Sequence, residues 1–134
     1  MPNAVCCLYA TAVFTSPEDL EKGMYKLKNI KEDRFVFAGC KYNSPIQRAL
    51  KINHSGATEM INPANFNTRS QDLEKTYHDI GQFYWGRPNA WLSSKNIFEG
   101  SYIQFLKSAY VNDIDTQEDW ERAEYMHKFI TDMK

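Results

Sequence analysis

The sequence is short of cysteine, net charge, glycine and long apolar runs, and each shortage removes a class of function. Its three cysteines, Cys6 and Cys7 adjacent and Cys40 apart, stand at no metal-ligand spacing from the scattered His54, His78 and His127. That argues against a disulfide framework or a zinc site and for reduced thiols in a cytoplasmic protein. Sixteen basic residues against seventeen acidic ones leave a formal charge of −1, with no basic stripe to follow a nucleic-acid backbone. No apolar run approaches the roughly 18 residues that mark a membrane-spanning helix. Ala4 to Phe14 has the apolar content of a signal-peptide core, but no Lys or Arg precedes it, so it is read as part of the fold. Six glycines are present, yet neither G-x-G-x-x-G nor a Walker-type phosphate loop occurs.

What is present fits one domain of 134 residues, long enough to bury a core. Residues 4–12 (AVCCLYATA) form a continuous apolar run, which predicts a strand buried on both faces at the centre of a parallel sheet. Ser16-Pro17-Glu18-Asp19 predicts a helix start, with Ser as cap, Pro at the first position and acids in the first turn. Leu20, Met24, Leu27 and Ile30 then mark the face that packs on the sheet. Arg34 to Cys40 predicts the next strand, so the three elements read as a right-handed strand–helix–strand crossover in an α/β fold.

Residues 43–62 alternate and turn at Asn53-His54-Ser55-Gly56, predicting a β-hairpin. Residues 62–72 read as a polar loop. Gln82 to Trp85 predicts a short aromatic strand, and Gly86-Arg87-Pro88-Asn89 a turn. A short helical or irregular piece from Ala90 to Phe98 leads to an extended Tyr102 to Leu106. Thr116-x-x-Asp119 then opens a terminal helix whose packed face is read as Trp120, Ala123, His127 and Ile130.

The most informative local feature is Asp113-Ile114-Asp115-Thr116. On an extended segment, residues i and i+2 share a face, so Asp113 and Asp115 converge, and Mg²⁺ takes one or two carboxylates together with substrate phosphates. The competing reading is that Asp115 or Thr116 merely caps the following helix. A further tension is architectural. A doubly buried strand needs helices on both faces, only two long helices are available, and the phosphate loop that α/β nucleotide sites place in a first βα turn is absent. The expectation is that the chain is the later part of a larger fold.

CCLYATAVF (Cys6 to Phe14), SPIQRAL (Ser44 to Leu50), RSQDLEKTYHDIGQFYW (Arg69 to Trp85) and DIDTQEDWERAE (Asp113 to Glu124) cover nearly the whole chain between them. With these motifs the sequence resembles the C-terminal portion of the cytidylyltransferases that activate nonulosonic acids as CMP-sugars. It is most similar to the pseudaminic acid branch, on Gly81-Gln82-Phe83-Tyr84-Trp85. The resemblance implies an incomplete Rossmann-like nucleotidyltransferase sheet with helices, plus a β-hairpin arm over about residues 43–100 that forms a homodimer and contributes to a sugar pocket. It implies a Mg²⁺-dependent reaction of CTP with a nonulosonic acid, in which the anomeric hydroxyl attacks the α-phosphorus and pyrophosphate leaves. Asp113 and Asp115 match the family's metal-holding aspartates.

On that resemblance, Arg69 and Arg48 become candidates for the sugar carboxylate, which a guanidinium binds bidentately. Gln71 and His78 are hydrogen-bonding candidates for the sugar. Phe83, Tyr84 and Trp85 are apolar and stacking surface, and Tyr9 and Thr11 lie at a strand end where ligands gather. Two departures stand out. Val13 replaces the family's proline after the first strand, and the Arg/Gly/Lys-rich motif that binds CTP is absent. The chain alone is therefore expected to be inactive, since this catalysis depends on positioning and electrostatics. The alternative expectation is a non-catalytic dimerisation or sugar-binding module of the same derivation. Either way an open sheet edge predicts self-association, and neither nucleic acid nor membrane is an expected partner.

Overall fold

The computed structural model describes residues 1–93, 96–106 and 112–132. The chain divides into two compact units, Met1–Cys40 with Asp79–Lys134, and Lys41–His78. Residues 79–100, read from sequence together with the arm, fall in the first of these. Among the described residues no helix is long and apolar enough to cross a membrane.

The first unit is a mixed α/β layer. Its strands are β1 (Val5–Leu8), β2 (Phe35–Lys41), β5 (Tyr77–Gly86) and β6 (Tyr102–Phe105), in the order β1-β5-β2-β6. β1 runs antiparallel to β5, from Val5 opposite Gly86 to Leu8 opposite Phe83. β2 runs parallel to β6, from Val36 opposite Tyr102 to Gly39 opposite Phe105. The strand expected at the centre therefore lies at the edge. Val5, Cys7 and Leu8 are exposed and only Cys6 is half-buried, whereas Phe35 to Cys40 of β2 are buried without a break. An apolar run does not say which neighbours it has, and here β2 is the doubly covered strand. β1 and β2 are not adjacent either, because β5 lies between them. That strand is also longer than expected, ten residues rather than four.

Helix α1 (Pro17–Lys28) begins as the sequence predicts. Asp19 N–H donates to Ser16 Oγ at 3.2 Å, and Ser16 N–H donates to the Asp19 carboxylate at 3.2 Å, with Pro17 in the first turn. This reciprocal box satisfies donors that the helix itself leaves unpaired. Leu27 and Ile30 pack with Val36 on one side, while Ala38, Cys40, Ile80, Phe83 and Leu106 form the other core cluster. Trp85 touches both clusters, and its Nε1 donates to the Leu20 carbonyl at 3.1 Å. The short helical piece expected from Ala90 is α2 (Pro88–Leu92), which begins two residues earlier, inside the expected turn.

Helix α3 (Gln117–Asp132) follows a segment, residues 112–116, that belongs to no strand. Asp113-Ile114-Asp115 is thus not part of a paired strand. The packed face of α3 also differs from the expected one at two of its four residues. Ala123 is buried and Met126 and Ile130 are half-buried, but Trp120 is 51% exposed and His127 is exposed. Both registers share Ala123 and Ile130, and the helical period is satisfied equally by Met126.

The second unit holds the predicted hairpin, β3 (Leu50–Ile52) paired antiparallel to β4 (Thr58–Met60). Its turn is fixed by Asn53, whose Oδ1 accepts from Ser55 N–H, Ser55 Oγ and Ala57 N–H at 2.7–3.0 Å. Gly56 supplies the positive φ of 82° that the turn needs. The stretch read as loop carries short 3₁₀ turns at Pro63–Asn65 and Ser70–Asp72.

Candidate functional site

Three segments of the first unit meet around Gly81. The first is Tyr9, just past β1, whose backbone N–H continues the ladder to the Gln82 carbonyl at 2.9 Å. The second is β5 itself, and the third is the segment leading into α3. Gly81 has a φ of +61°, a conformation that suits glycine. The strand's alternation breaks there, so Ile80 and Phe83, three residues apart, both enter the same core cluster. A Cβ placed on Gly81 would lie 3.7 Å from Asp113 Oδ2 and 3.8 Å from the Tyr9 ring.

Asp79 secures this turn from the N-terminal side. Its Oδ1 accepts from Gly81 N–H at 3.3 Å and its Oδ2 from Tyr84 Oη at 2.6 Å. Tyr84 packs against Tyr9, ring centres 5.4 Å apart, and against Phe37 at 6.3 Å. Burial, and next the hydrogen bond to Asp79, push the Tyr84 phenol well above its ordinary range, so it stays a neutral donor. The aromatic trio Phe83, Tyr84 and Trp85 is thus divided. Phe83 is fully buried and Trp85 is bonded to α1, and only Tyr84 faces Tyr9. Tyr9 itself is 46% exposed.

Asp113 and Asp115 are both exposed. Asp113 Oδ1 accepts from the adjacent Ile114 N–H at 3.1 Å. The helix cap is provided instead by Thr116 and Asp119. Asp119 N–H donates to Thr116 Oγ1 at 3.2 Å, and Thr116 N–H and Oγ1 donate to Asp119 Oδ2 at 3.0 and 2.7 Å. Those bonds, led by that from the Thr116 hydroxyl, hold the Asp119 carboxyl below its ordinary value. Asn112, buried just before the pair, ties the segment to α3 through Nδ2 to the Asp119 carbonyl at 3.0 Å. Capping therefore engages Thr116 and Asp119 and leaves the carboxylates of Asp113 and Asp115 outside it.

Two exposed carboxylates suit a magnesium ion that completes its octahedron with water and phosphate oxygens. Among the described residues no group of three His, Cys, Asp or Glu is placed to hold a metal, so a closed all-protein cage is not what these residues offer. The thiols offer no alternative chemistry, since burial raises both Cys6 and Cys40 above the ordinary thiol range.

The remaining candidates lie in the second unit. Arg48 Nη1 donates to Ser70 Oγ at 3.3 Å, and the exposed Arg69 opens the turn Ser70–Asp72. Gln71 lines a cavity of about 380 Å³ together with Lys41, Ser44, Ser70 and Lys75. His78 is half-buried with its ring 4.5 Å from Tyr42. Sequence reasoning had not singled out Lys41, Ser44 or Lys75, nor Asp79. The only sequence signal for Asp79 was its position two residues before a glycine, where an Asx side chain bonds the backbone two residues on.

Over 125 residues, 92% of this chain, the sequence is 40% identical to a protein named pseudaminic acid cytidylyltransferase from Campylobacter jejuni serotype O:2. It is 39% identical, over the same length, to the protein of that name from serotype O:23/36. A Helicobacter pylori protein named pseudaminic acid cytidylyltransferase and UDP-2,4-diacetamido-2,4,6-trideoxy-beta-L-altropyranose hydrolase is 27% identical over 113 residues. The chain spans about half the length of the two Campylobacter proteins, 53% of each, and 22% of the Helicobacter one. No family model matches the chain.

Proposed function

We propose that this chain carries the metal-holding side, and part of the sugar-holding side, of a nucleotidyltransferase that moves CMP from CTP to pseudaminic acid and releases pyrophosphate. The observation that carries the reading is the match of nearly the whole chain to proteins of that name, together with a chemically apt pair at Asp113 and Asp115. Mg²⁺, when bound, offsets phosphate charge and acidifies the attacking sugar hydroxyl. Asp113 and Asp115 hold it from the protein side. In the second unit, Arg48 and Arg69 take the sugar carboxylate, with Gln71 and His78 as hydrogen-bonding partners for the rest of the sugar. Tyr9, exposed and braced by the buried Tyr84, offers aromatic surface beside the Gly81 turn that neighbours Asp113. Since CTP and its sugar acceptor are soluble metabolites, we place the reaction in the cytoplasm.

We further propose a homodimer formed through the hairpin unit. Leu50 and Ile52 share one face of β3 and are 60% and 66% exposed, and nothing else in that unit covers them. The chain as it stands holds no glycine-rich phosphate loop, so we expect no turnover from it alone. The second reading is a binding or dimerisation module without chemistry, for which the exposed face of β3 is the observation that speaks.

Pyrophosphate release from CTP, pseudaminic acid and Mg²⁺ separates the two. The assay compares this chain alone, the chain mixed with the half of the Campylobacter protein it does not span, and that mixture carrying Asp113→Ala/Asp115→Ala. Release only in the unsubstituted mixture supports the enzyme reading, with the double substitution expected to remove about a hundredfold or more of the rate. Saturable binding of the sugar acid without release in any mixture supports the module.

A further inference from the structure

We infer that Asp79 is a positioning residue for Asp113, acting through the left-handed turn at Gly81. The inference rests on the reading of Asp113 as a metal-holding residue and goes one layer behind it. Asp113 belongs to an irregular segment, and among the described residues its carboxylate accepts only from its own neighbour, Ile114. From elsewhere in the fold it is neighboured by Gly81, where an added Cβ would lie 3.7 Å from Asp113 Oδ2 and 3.8 Å from the Tyr9 ring. The shape of the turn there depends on the φ of +61° at Gly81. Asp79 is the side chain that bonds this turn, spending one oxygen on Gly81 N–H and the other on Tyr84 Oη. Tyr84 in turn braces Tyr9. One carboxylate thus bonds the turn that neighbours Asp113 and, through Tyr84, braces the Tyr9 ring that packs beside the same turn.

The arrangement explains why the strand carries an acid at residue 79, half-buried, where its alternation is interrupted. An apolar residue at 79 leaves both the Gly81 amide and the Tyr84 hydroxyl to find other acceptors. The turn is then free to relax, and the floor beneath Asp113 moves with it. Groups behind a metal ligand are commonly worth a factor of ten or more in metal affinity. Asp79 acts through backbone rather than by a direct bond, so the lower end of that range applies.

The test uses the 134-residue chain labelled for carboxyl-detected NMR, with Mn²⁺ as the probe ion, in the unsubstituted protein and in Asp79→Ala, Asp79→Asn and Tyr84→Phe. Asp79→Ala is expected to shift the Asp113 carboxyl resonance and to weaken Mn²⁺ binding by about tenfold. Asp79→Asn, which keeps an acceptor, is expected to recover part of both effects. Tyr84→Phe removes one hydroxyl and serves if Asp79→Ala does not fold, with the same direction of shift at Asp113. An Asp113 resonance unmoved in all folded variants overturns the inference. Absence of Mn²⁺ binding to the unsubstituted chain overturns the metal reading instead, and the metal-free Asp113 resonance still decides the positioning role.

Discussion

Gly23 lies on the face of α1 that meets β5, and an added Cβ there would stand 2.9 Å from Phe83 Cε2 and 2.9 Å from Trp85 Cδ1. Neither ring has room to yield. Phe83 is fully buried, and the Trp85 indole is tied to the Leu20 carbonyl. Two terms oppose each other in Gly23→Ala. Alanine favours a helix interior over glycine by about 1 kcal/mol, while forcing a methyl into a packed contact costs about 1–3 kcal/mol. Two aromatic rings inside ordinary contact distance put the cost in the upper part of that range, so the net expectation is a loss of about 1–2 kcal/mol. Urea unfolding followed by far-UV circular dichroism reads it as a lower midpoint with an unchanged slope. The same substitution made with Trp85→Phe, which removes one of the two rings' bulk, is expected to lose less than the sum of the single changes, by about 0.5 kcal/mol or more. A midpoint that rises by the helix-propensity increment refutes the close packing of α1 on β5. The outcome bears on function as well. Phe83 and Trp85 both belong to the sugar-side motif of the sequence, and full burial holds Phe83 inside the core while the half-buried Trp85 lines a cavity with Met24, Leu27 and Arg87.

Two other expectations follow from the ends of α3 and from the hairpin. Because the Thr116 bonds depress the Asp119 carboxyl below its ordinary 3.8, its contribution to stability is complete above that value and is lost as pH falls through the lower folded one. The urea midpoints of the chain and of Asp119→Asn should therefore differ at neutral pH and converge in strong acid, and parallel curves at every pH count against the cap. For the hairpin, sedimentation velocity should show a dimer that dissociates in Leu50→Lys/Ile52→Lys. A substituted chain that still sediments as a dimer rules out that face as the interface.

The elements legible in the sequence were those that local chemistry closes on itself. Ser16 and Asp19 cap α1, Thr116 and Asp119 cap α3, and Asn53 with Gly56 turns the hairpin, all within five residues of chain. What local pattern does not encode is the partner across the sheet. The run at residues 4–12 is apolar enough for a central strand, yet among the described residues β1 pairs only with β5, and Val5 and Leu8 stay exposed. Residues 77–79 look polar, and so β5 seemed to begin at Gln82. In fact Asp79 is half-buried because it bonds Tyr84 and Gly81. The same blindness touched the site. The role proposed for Asp113 and Asp115 rests on residue type and resemblance, and among the described residues 112–116 belong to no strand that would make them converge.

Their position just ahead of α3 has an electrostatic consequence. The first turn of a helix carries about half a positive charge, worth about 0.3–1 kcal/mol to each nearby anion. Asp115 stands two residues before Gln117, where α3 begins, and is the nearer of the two to that helix end. A bare divalent ion neutralises the pair and gives up that gain, at a cost of about 1 kcal/mol, or several-fold in affinity. A divalent ion that arrives with pyrophosphate leaves the site net negative, and the helix end then favours the loaded state. Calorimetry should accordingly find Mn²⁺ alone binding weakly to this chain and binding several-fold more tightly once pyrophosphate is present, with both signals lost in Asp113→Ala/Asp115→Ala. If pyrophosphate only strips Mn²⁺ from the protein, the pair is a bare cation site and the reading of it as a place where metal and phosphate meet is wrong.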